Sequence, residues 1–432
     1  MRAFLDRYFG LSQHGTSVRQ EVVAGSTTFL AMAYITVVNP GILATAGMDF
    51  GAVFVATCLA AALGTLVMGL YANYPVGQAP GMGQNVFFTY GIVLGVGVSW
   101  QTALGAVFIS GVLFIILSLL PIREWLINAI PRSLKLGIAA GIGLFLGIIA
   151  LSGSGVIVAN PATLVTLGDL TQAPALLLLG GFALIVALTA RRVPGAVILG
   201  MLLVTLLGWL TGSAEFQGLV SSPPPLTTLL ELDIVAALDL SMVTVILTIL
   251  LVDLFDTAGT LLGVAHRAGL LDEKGQLPRL RRALLSDSGA TAAGALIGTS
   301  STTSFIESAA GVEAGGRTGL TAVTAALLFL GCLFFAPLAA SVPGFATGAA
   351  LLFVACLMTR ALRDLDWDDI GESAPALVTF LGIPLTYSIA NGIGLGFITY
   401  VLIRLLSGRG RDCHPAVYLV ALIFVLKFGF LG

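Results

Sequence analysis

Apolar runs of membrane-spanning length recur from Val22 to Leu431, separated by short polar connections. A helix needs about 20 predominantly apolar residues to cross the hydrocarbon core of a bilayer. After a polar lead-in at 1–20, with Arg2, Asp6, Arg7, His14 and Arg19, the pattern predicts seven spans at 22–45, 52–71, 83–96, 102–120, 132–153, 174–190 and 194–212. A polar, proline-rich connection at 213–236 includes Ser221, Ser222 and Pro223 to Pro225. Seven more spans are predicted at 239–265, 284–298, 305–314, 318–341, 345–359, 374–390 and 392–407. A last apolar piece at 414–431 reads as interfacial or re-entrant. The alternating segments of about ten residues that mark a transmembrane barrel are absent. The fold class is therefore an all-α polytopic membrane protein with 14 transmembrane segments. It divides into a first repeat at 1–212, a connection at 213–236, a second repeat at 237–413 and a tail at 414–432.

Charge placement supports this division. Of 432 residues 57% are hydrophobic and 10% charged, against about 25% charged in soluble proteins. Starting with the N-terminus inside, the inner connections receive Arg2, Arg7, Arg19, Arg123, Arg132, Lys135, Arg191, Arg192, Arg267, Lys274, Arg279, Arg281, Arg282, Arg317, Arg360, Arg363, Arg404, Arg409 and Arg411. That leaves only Lys427, in the tail, among the 20 lysines and arginines. The outer connections carry Asp49, Asp169, Glu215, Glu231 and Asp233. Such alternation is the positive-inside pattern of a multi-pass protein of the cytoplasmic membrane. The first fifteen residues show no cleavable signal pattern, so the first span is expected to direct insertion. Cys58, Cys332, Cys356 and Cys413 are scattered without metal-binding spacing. Cys58, Cys332 and Cys356 read as packing residues, and neither a metal nor a cofactor is expected.

Two sets of seven spans have opposite orientation, because seven is odd. A short echo accompanies them: Ala173-Pro174-Ala175-Leu176 opens the sixth span and Ala374-Pro375-Ala376-Leu377 the thirteenth. Ile130-Pro131 and Val342-Pro343 precede the fifth and twelfth. Inverted repeats characterise many secondary transporters, whose substrate site lies at the repeat interface near the midplane. The third and tenth spans correspond in this scheme, and both are short and preceded by irregular sequence, Pro75 to Asn85 and Gly298 to Ser304. Paired short segments of this kind point to a transport site, with half-helix N-termini offering N–H groups to a polar ligand.

The candidate chemistry sits in the same places. Thr299 to Ser304 is a run of six hydroxyl residues, followed by Phe305, Ile306 and Glu307. A carboxylate at membrane depth costs roughly 2.5–3.5 kcal/mol on insertion scales and marks a functional site by default. Irregular backbone at that depth is tolerated only where it is buried in protein or lines a cavity. On the eighth span Asp253 and Asp256 lie three residues apart, with Thr257 and Thr260 each four residues beyond one of them. Thr302, Thr303 and Ser304 extend this polar stripe into the cavity lining, although Ser and Thr also join membrane helices by ordinary hydrogen bonds. Buried carboxylates can exchange protons near neutral pH, which suits Asp253, Asp256 and Glu307 to proton coupling. Asn85 offers a donor and an acceptor to a heterocycle edge. Phe305 could stack on a planar ligand, although with 24 phenylalanines in the chain the residue type alone proves little. Glu313 and Arg317 read as interface charges that could pair, Asp287 as a helix cap, and His266 as solvated. No phosphate loop, nucleophile elbow or metal pair is present, which argues against an ATP-driven pump and against an enzyme.

Five stretches carry a resemblance: Phe4 to Leu11, Thr28 to Pro40, Pro80 to Asn85, Asp253 to Thr260, and Gly298 to Val312. They resemble the azaguanine-resistance-type purine permeases, a branch of the nucleobase–ascorbate transporters, over nearly the whole chain. The resemblance implies a seven-plus-seven inverted repeat in which a core domain (spans 1–4 and 8–11) moves against a gate domain (spans 5–7 and 12–14). It implies short strands before half-helices in spans three and ten. It further implies proton-coupled uptake of guanine, hypoxanthine or adenine, with the family's site residues falling on Asn85, Asp256, Phe305 and Glu307. Gln84 stands where a leucine-like residue is expected and could alter base selectivity. The partners expected are a purine base, a proton with sodium as the alternative, and the lipid bilayer. No nucleic acid is expected, and a homodimer is an option. The competing readings are an anion transporter or exchanger, or a carrier of another nucleobase, on the same architecture.

Overall fold

The computed structural model describes residues 2–120, 130–272 and 277–430. Arg123 and Lys274, counted above on the inner side, lie outside the described residues, as do the last two residues of the 414–432 tail.

The main elements begin with α1 (Arg2–Phe9), α2 (Val18–Met32), α3 (Ile35–Ala44), α4 (Phe50–Val67), β1 (Gln78–Pro80) and α5 (Met82–Val86). Next come α6 (Trp100–Leu119), α7 (Arg132–Gly153), β2 (Ile157–Asn160), β3 (Leu164–Leu167), α8 (Ala173–Ala190) and α9 (Ala196–Leu210). The second half contains α10 (Val243–Ala268), α11 (Leu280–Ile297), β4 (Thr302–Ser304), α12 (Ser308–Glu313) and α13 (Gly319–Cys332). It closes with α14 (Gly344–Thr359), α15 (Ile370–Leu385), α16 (Ile389–Leu406) and α17 (Pro415–Phe430). Among the described residues nine helical stretches are long and apolar enough to cross a membrane. The other five predicted spans are helices too short or too polar to qualify alone: the segment after β1, α9, α11, α12 and α15. Several helices start where a polar side chain accepts from a backbone N–H that has no partner in the first turn, as Ser17, Asp49 and Ser99 do for Gln20, Ala52 and Thr102.

The centre of the fold is a crossing of two three-residue strands. β1 pairs antiparallel with β4 in the register Gln78↔Ser304, Ala79↔Thr303, Pro80↔Thr302. The pairing continues on both sides, because Phe305 N donates to Gly77 O and Gly81 N to Ser301 O, each at 2.9 Å. Six residues of extended backbone in a helical membrane protein would leave many polar groups unmet, and the two strands meet this need for each other. The strands are antiparallel, so the chain leaves the crossing in opposite directions through α5 and α12.

Helix packing around the crossing comes in matched pairs. α4 packs on α13 as α11 packs on α6, and α2 packs on α13 as α10 packs on α6. α7 packs on α15 as α14 packs on α8, and α15 on α16 as α8 on α9. α7 and α14, the first helices of the two outer groups, pack on each other. Glycines permit the closest approaches. A Cβ on Gly319 would stand 1.9 Å from Gly69 O, and one on Gly25 2.4 Å from Thr321 O.

Three sequence expectations need correction. The chain is mostly helical rather than all-α, since besides the crossing it has a β2–β3 hairpin between α7 and α8. Its turn is shaped by Asn160, whose Oδ1 accepts from Ala162 N at 2.8 Å and Thr163 N at 3.1 Å. Just beyond it, Asp169 accepts from Thr171 and Gln172, which holds its carboxyl down at about 2. The tail is not re-entrant but one continuous helix: α17 runs antiparallel to α16, with Lys427 Nζ donating to Asn391 Oδ1 at 3.1 Å. Val417, Val420, Ala421 and Phe424 give α17 one buried face at helical spacing. The cysteines differ among themselves, with Cys58 buried but Cys356 exposed.

Candidate functional site

The strand crossing is surrounded by carboxylates from two helices. Asp253 of α10 is fully buried. Its Oδ1 accepts from Gln84 Nε2 at 3.0 Å and its Oδ2 from Thr291 Oγ1 at 2.9 Å. Asp287 of α11 is also fully buried. It accepts from Gln78 Nε2 at 3.0 Å, Ser304 Oγ at 2.7 Å and Thr257 Oγ1 at 2.5 Å. Thr257 also meets Thr303 Oγ1 at 2.9 Å. The hydroxyl run therefore has a definite use: its strand residues connect α10 and α11 to the crossing.

A second pair of acids lies on an exposed face. Asp256, one turn beyond Asp253, is exposed, and Glu307, at the start of α12, is half-buried. A Cβ on Gly263 of α10 would stand 3.5 Å from Ile306 Cδ1, so the segment that carries Glu307 packs against this face of α10. Ile306 is 46% exposed, whereas Phe305 is 5% exposed and belongs to the apolar core. α10 is asymmetric along its length. From Thr244 to Leu254 it is buried apart from a half-buried Leu247, whereas Asp256, Gly259, Leu262, His266 and Arg267 are exposed. The exposed face of α10 therefore runs from Asp256 toward its C-terminal end. At that end Arg267 pairs with Glu313 at 2.7 Å. Gln20, near the start of α2, reaches Ala314 O at the end of α12.

Glu307 is held from the first span. Tyr34 is fully buried at the interruption between α2 and α3, and its hydroxyl donates to Glu307 Oε1 at 2.6 Å. Five residues on, Asn39 Nδ2 donates to Thr57 Oγ1 at 2.7 Å and to Thr299 Oγ1 at 2.8 Å. Asn85 is fully buried and accepts a short hydrogen bond from Ser300, while its Nδ2 has no partner. Gln84 Oε1, Asn39 Oδ1, Ser301 Oγ and Thr302 Oγ1 are likewise buried without partners. Unspent polar atoms concentrated on two crossing segments suit a site that receives a polar ligand.

Of the sequence-predicted residues, Asp256, Ile306 and Glu307 lie on the exposed face, and Asp253, Thr257, Thr302, Thr303 and Ser304 form the buried layer around the crossing. Thr260 lies one turn beyond Asp256 and is buried. Two readings are overturned. Asp287 is no cap, because α11 begins two turns earlier, at Leu280, behind Arg281 and Arg282, whose charge concealed the first turn. Arg317 does not pair with Glu313; its guanidinium donates to Val312 O and Gly316 O, each at 2.7 Å, closing the C-terminal turn of α12. Tyr34, Asn39 and Gln78 were missed. The argument that singled out Asp256, a carboxylate inside an apolar span, would also have found Asp287. Among the described residues no group of three His, Cys, Asp or Glu side chains could hold a metal ion.

Comparison with known proteins agrees with this architecture. The model of the Xan_ur_permease permease family matches residues 19–395. A putative permease of Methanocaldococcus jannaschii is 51% identical over 431 residues, covering 99% of each chain. The adenine permease AdeP of Escherichia coli is 48% identical, covering 100% of this chain and 97% of its own. The guanine/hypoxanthine permease PbuO of Bacillus subtilis is 45% identical, covering 97% and 99%. Among solved structures, the transmembrane domain of the cyanobacterial bicarbonate transporter BicA superposes with a TM-score of 0.64 at 15% identity, covering 88% of this chain and 97% of that one. SLC26A9 superposes with a TM-score of 0.68 at 11% identity, covering 94% and 69%. These two likenesses concern the fold. A helical membrane chain with paired strands at its centre and acids on an exposed face beside them, matched over 377 residues by one family model and over nearly its full length by named permeases, belongs to the Xan_ur_permease family, the nucleobase–ascorbate transporters that its motifs resemble.

Proposed function

We propose that this protein takes up purine nucleobases across the cytoplasmic membrane by proton-coupled alternating access. The observation that carries the reading is that Asp256 and Glu307 lie on one exposed face beside the strand crossing, which we take as the wall of an opening. Two carboxylates can accept ring N–H groups of a purine and can also take up the coupling proton. Phe305 and Ile306 supply apolar surface for the base, and Asn85 and Gln84 complete the recognition of its edge. The names of the adenine and guanine/hypoxanthine permeases support the substrate class.

The matched packing pairs support fourteen spans arranged as two inverted repeats. In this reading α2 to α6 and α10 to α13 form the core, and α7 to α9 and α14 to α16 the gate. The gathering of Arg267, Arg317 and the N-terminal segment at one end supports an N-terminus inside. The opening faces that end, so the conformation is inward-open.

The test is uptake of radiolabelled hypoxanthine in cells expressing the protein, with adenine, guanine, xanthine and uracil as competitors and with or without a protonophore. Saturable uptake that collapses with the protonophore is expected, and Asp256→Asn or Glu307→Gln should abolish accumulation. Full accumulation by both variants would refute the assignment of the two acids.

A further inference from the structure

We infer that Tyr34 is a positioning residue that decides which oxygen of Glu307 holds the coupling proton, an inference that rests on the carrier reading above. The phenol is fully buried, yet it lies where the first span is interrupted, between α2 and α3. Its single proton is directed at Glu307 Oε1 over 2.6 Å, the length of a charge-assisted O–H···O bond. Glu307 itself is half-buried. Oε1 is thereby engaged by the phenol, and Oε2 is the oxygen that this bond leaves over.

A protonation preference follows. While Oε1 accepts from Tyr34, a proton arriving at Glu307 forms its O–H bond at Oε2. It comes from water in the opening and leaves to water when the opening faces the other side. The phenol proton stays on Tyr34 throughout, so the exchange conserves protons without any second group. Ionised, Oε2 accepts an N–H from the base; protonated, it donates to a ring nitrogen. One atom thereby serves both recognition and coupling, and both require a fixed carboxyl plane. The interruption of the first span is itself anchored, by Tyr34 to Glu307 and by Asn39 to Thr299. Both bonds reach the segment that contains β4, so the geometry of Glu307 is set by the first span and not by α12 alone.

The experiment compares wild type, Tyr34→Phe and a 3-fluorotyrosine substitution at position 34, using purine uptake over a pH series and infrared spectroscopy of the purified protein in lipid. Glu307→Gln identifies the Glu307 carboxyl band. Tyr34→Phe should raise KM about tenfold, as loss of one hydrogen bond to a charged group implies. It should displace the alkaline limb of uptake to higher pH, because the ionised carboxylate has lost a donor. It should also shift the Glu307 band. Fluorotyrosine, a stronger donor of nearly the same shape, should displace the limb the other way. An unchanged pH limb and KM in Tyr34→Phe would overturn the inference. If that variant does not reach the membrane, an unchanged limb with fluorotyrosine would do so. Absence of purine uptake by the wild type would instead refute the carrier reading, while the infrared comparison would still decide whether Tyr34 holds Glu307.

Discussion

Gln84 Nε2 donates to Asp253 Oδ1 across 3.0 Å, and both side chains are buried. This contact fixes the amide, with its N–H side committed to the acid and Oε1 left as a buried acceptor. It also ties α5 to α10, with Thr291 of α11 on the other carboxylate oxygen. Gln84→Leu removes a hydrogen bond to a charged group and should cost about 1.5–3 kcal/mol of stability, read as a lower unfolding temperature of the purified protein. A fixed acceptor beside the site favours a base that presents a donor, as the adenine amino group does and the hypoxanthine carbonyl does not. Gln84→Leu should therefore weaken competition by adenine more than competition by hypoxanthine. Equal displacement of the two inhibition curves would show that Gln84 does not face the base.

Gly319 and Gly331 provide a paired test of helix approach. A Cβ at Gly319 would fall 1.9 Å from the carbonyl oxygen of Gly69, where backbone meets backbone and neither side can yield cheaply. At Gly331, on the same helix, nothing lies within 4 Å. Gly319→Ala should destabilise by about 1–3 kcal/mol or more and reduce the folded yield in membranes. Gly331→Ala should match the wild type in thermal unfolding and in yield. Equal behaviour of the two variants would mean that the turn following α4, which carries Gly69, and the start of α13 are not in this close contact.

The helical membrane architecture was legible because long apolar runs and the sorting of arginines are direct consequences of the bilayer. The breaks at 78–80 and 302–304 were legible too, since glycine, proline and hydroxyl residues interrupt two spans at matching places, whereas their strand form was implied by the family resemblance. The β2–β3 hairpin was not, because eight strand residues in a connection, six of them exposed and two half-buried, leave no trace in a hydropathy pattern. Tyr34 was hidden inside an apolar run, where its phenol reads as one more large side chain until Glu307 is seen 2.6 Å away. Asp287 was visible, but its position relative to the helix start was misjudged by about two turns. Its three donors come from Gln78, Thr257 and Ser304, and no pattern along the chain brings those three together.

Asp287→Asn tests that cluster. The carboxylate accepts from all three neighbours, so an amide NH2 group would face a donor. At least one of those donors would lose its partner inside the protein, at a cost of about 1–3 kcal/mol. Purine uptake should fall at least tenfold while the protein still reaches the membrane. Asp287→Ala, which leaves all three donors without the acid, should be worse in both uptake and thermal stability. Wild-type uptake by Asp287→Asn would show that the crossing tolerates rearrangement of its hydrogen bonds.

Glu21 and Glu313 separate buried from exposed carboxylates at one end of the molecule. Glu21 of α2 is fully buried. It accepts from Arg317 N at 3.0 Å, Thr318 N at 3.3 Å, Thr321 N at 3.2 Å and Thr321 Oγ1 at 2.6 Å. It thereby supplies, from another helix, the acceptors that the first turn of α13 lacks, and a negative charge is favourable at that helix end. Glu313 pairs with Arg267 in the open, with side chains 66% and 57% exposed. Exposed pairs contribute about 0–1 kcal/mol. Glu313→Gln should therefore leave thermal unfolding and folded yield unchanged. Glu21→Gln places an NH2 group against backbone donors and should lose about 3 kcal/mol, together with most of the folded yield. The ordering of the two variants is the measurement that matters. If Glu313→Gln proved the more damaging, the attachment of α2 to the start of α13 would not be what holds this end together.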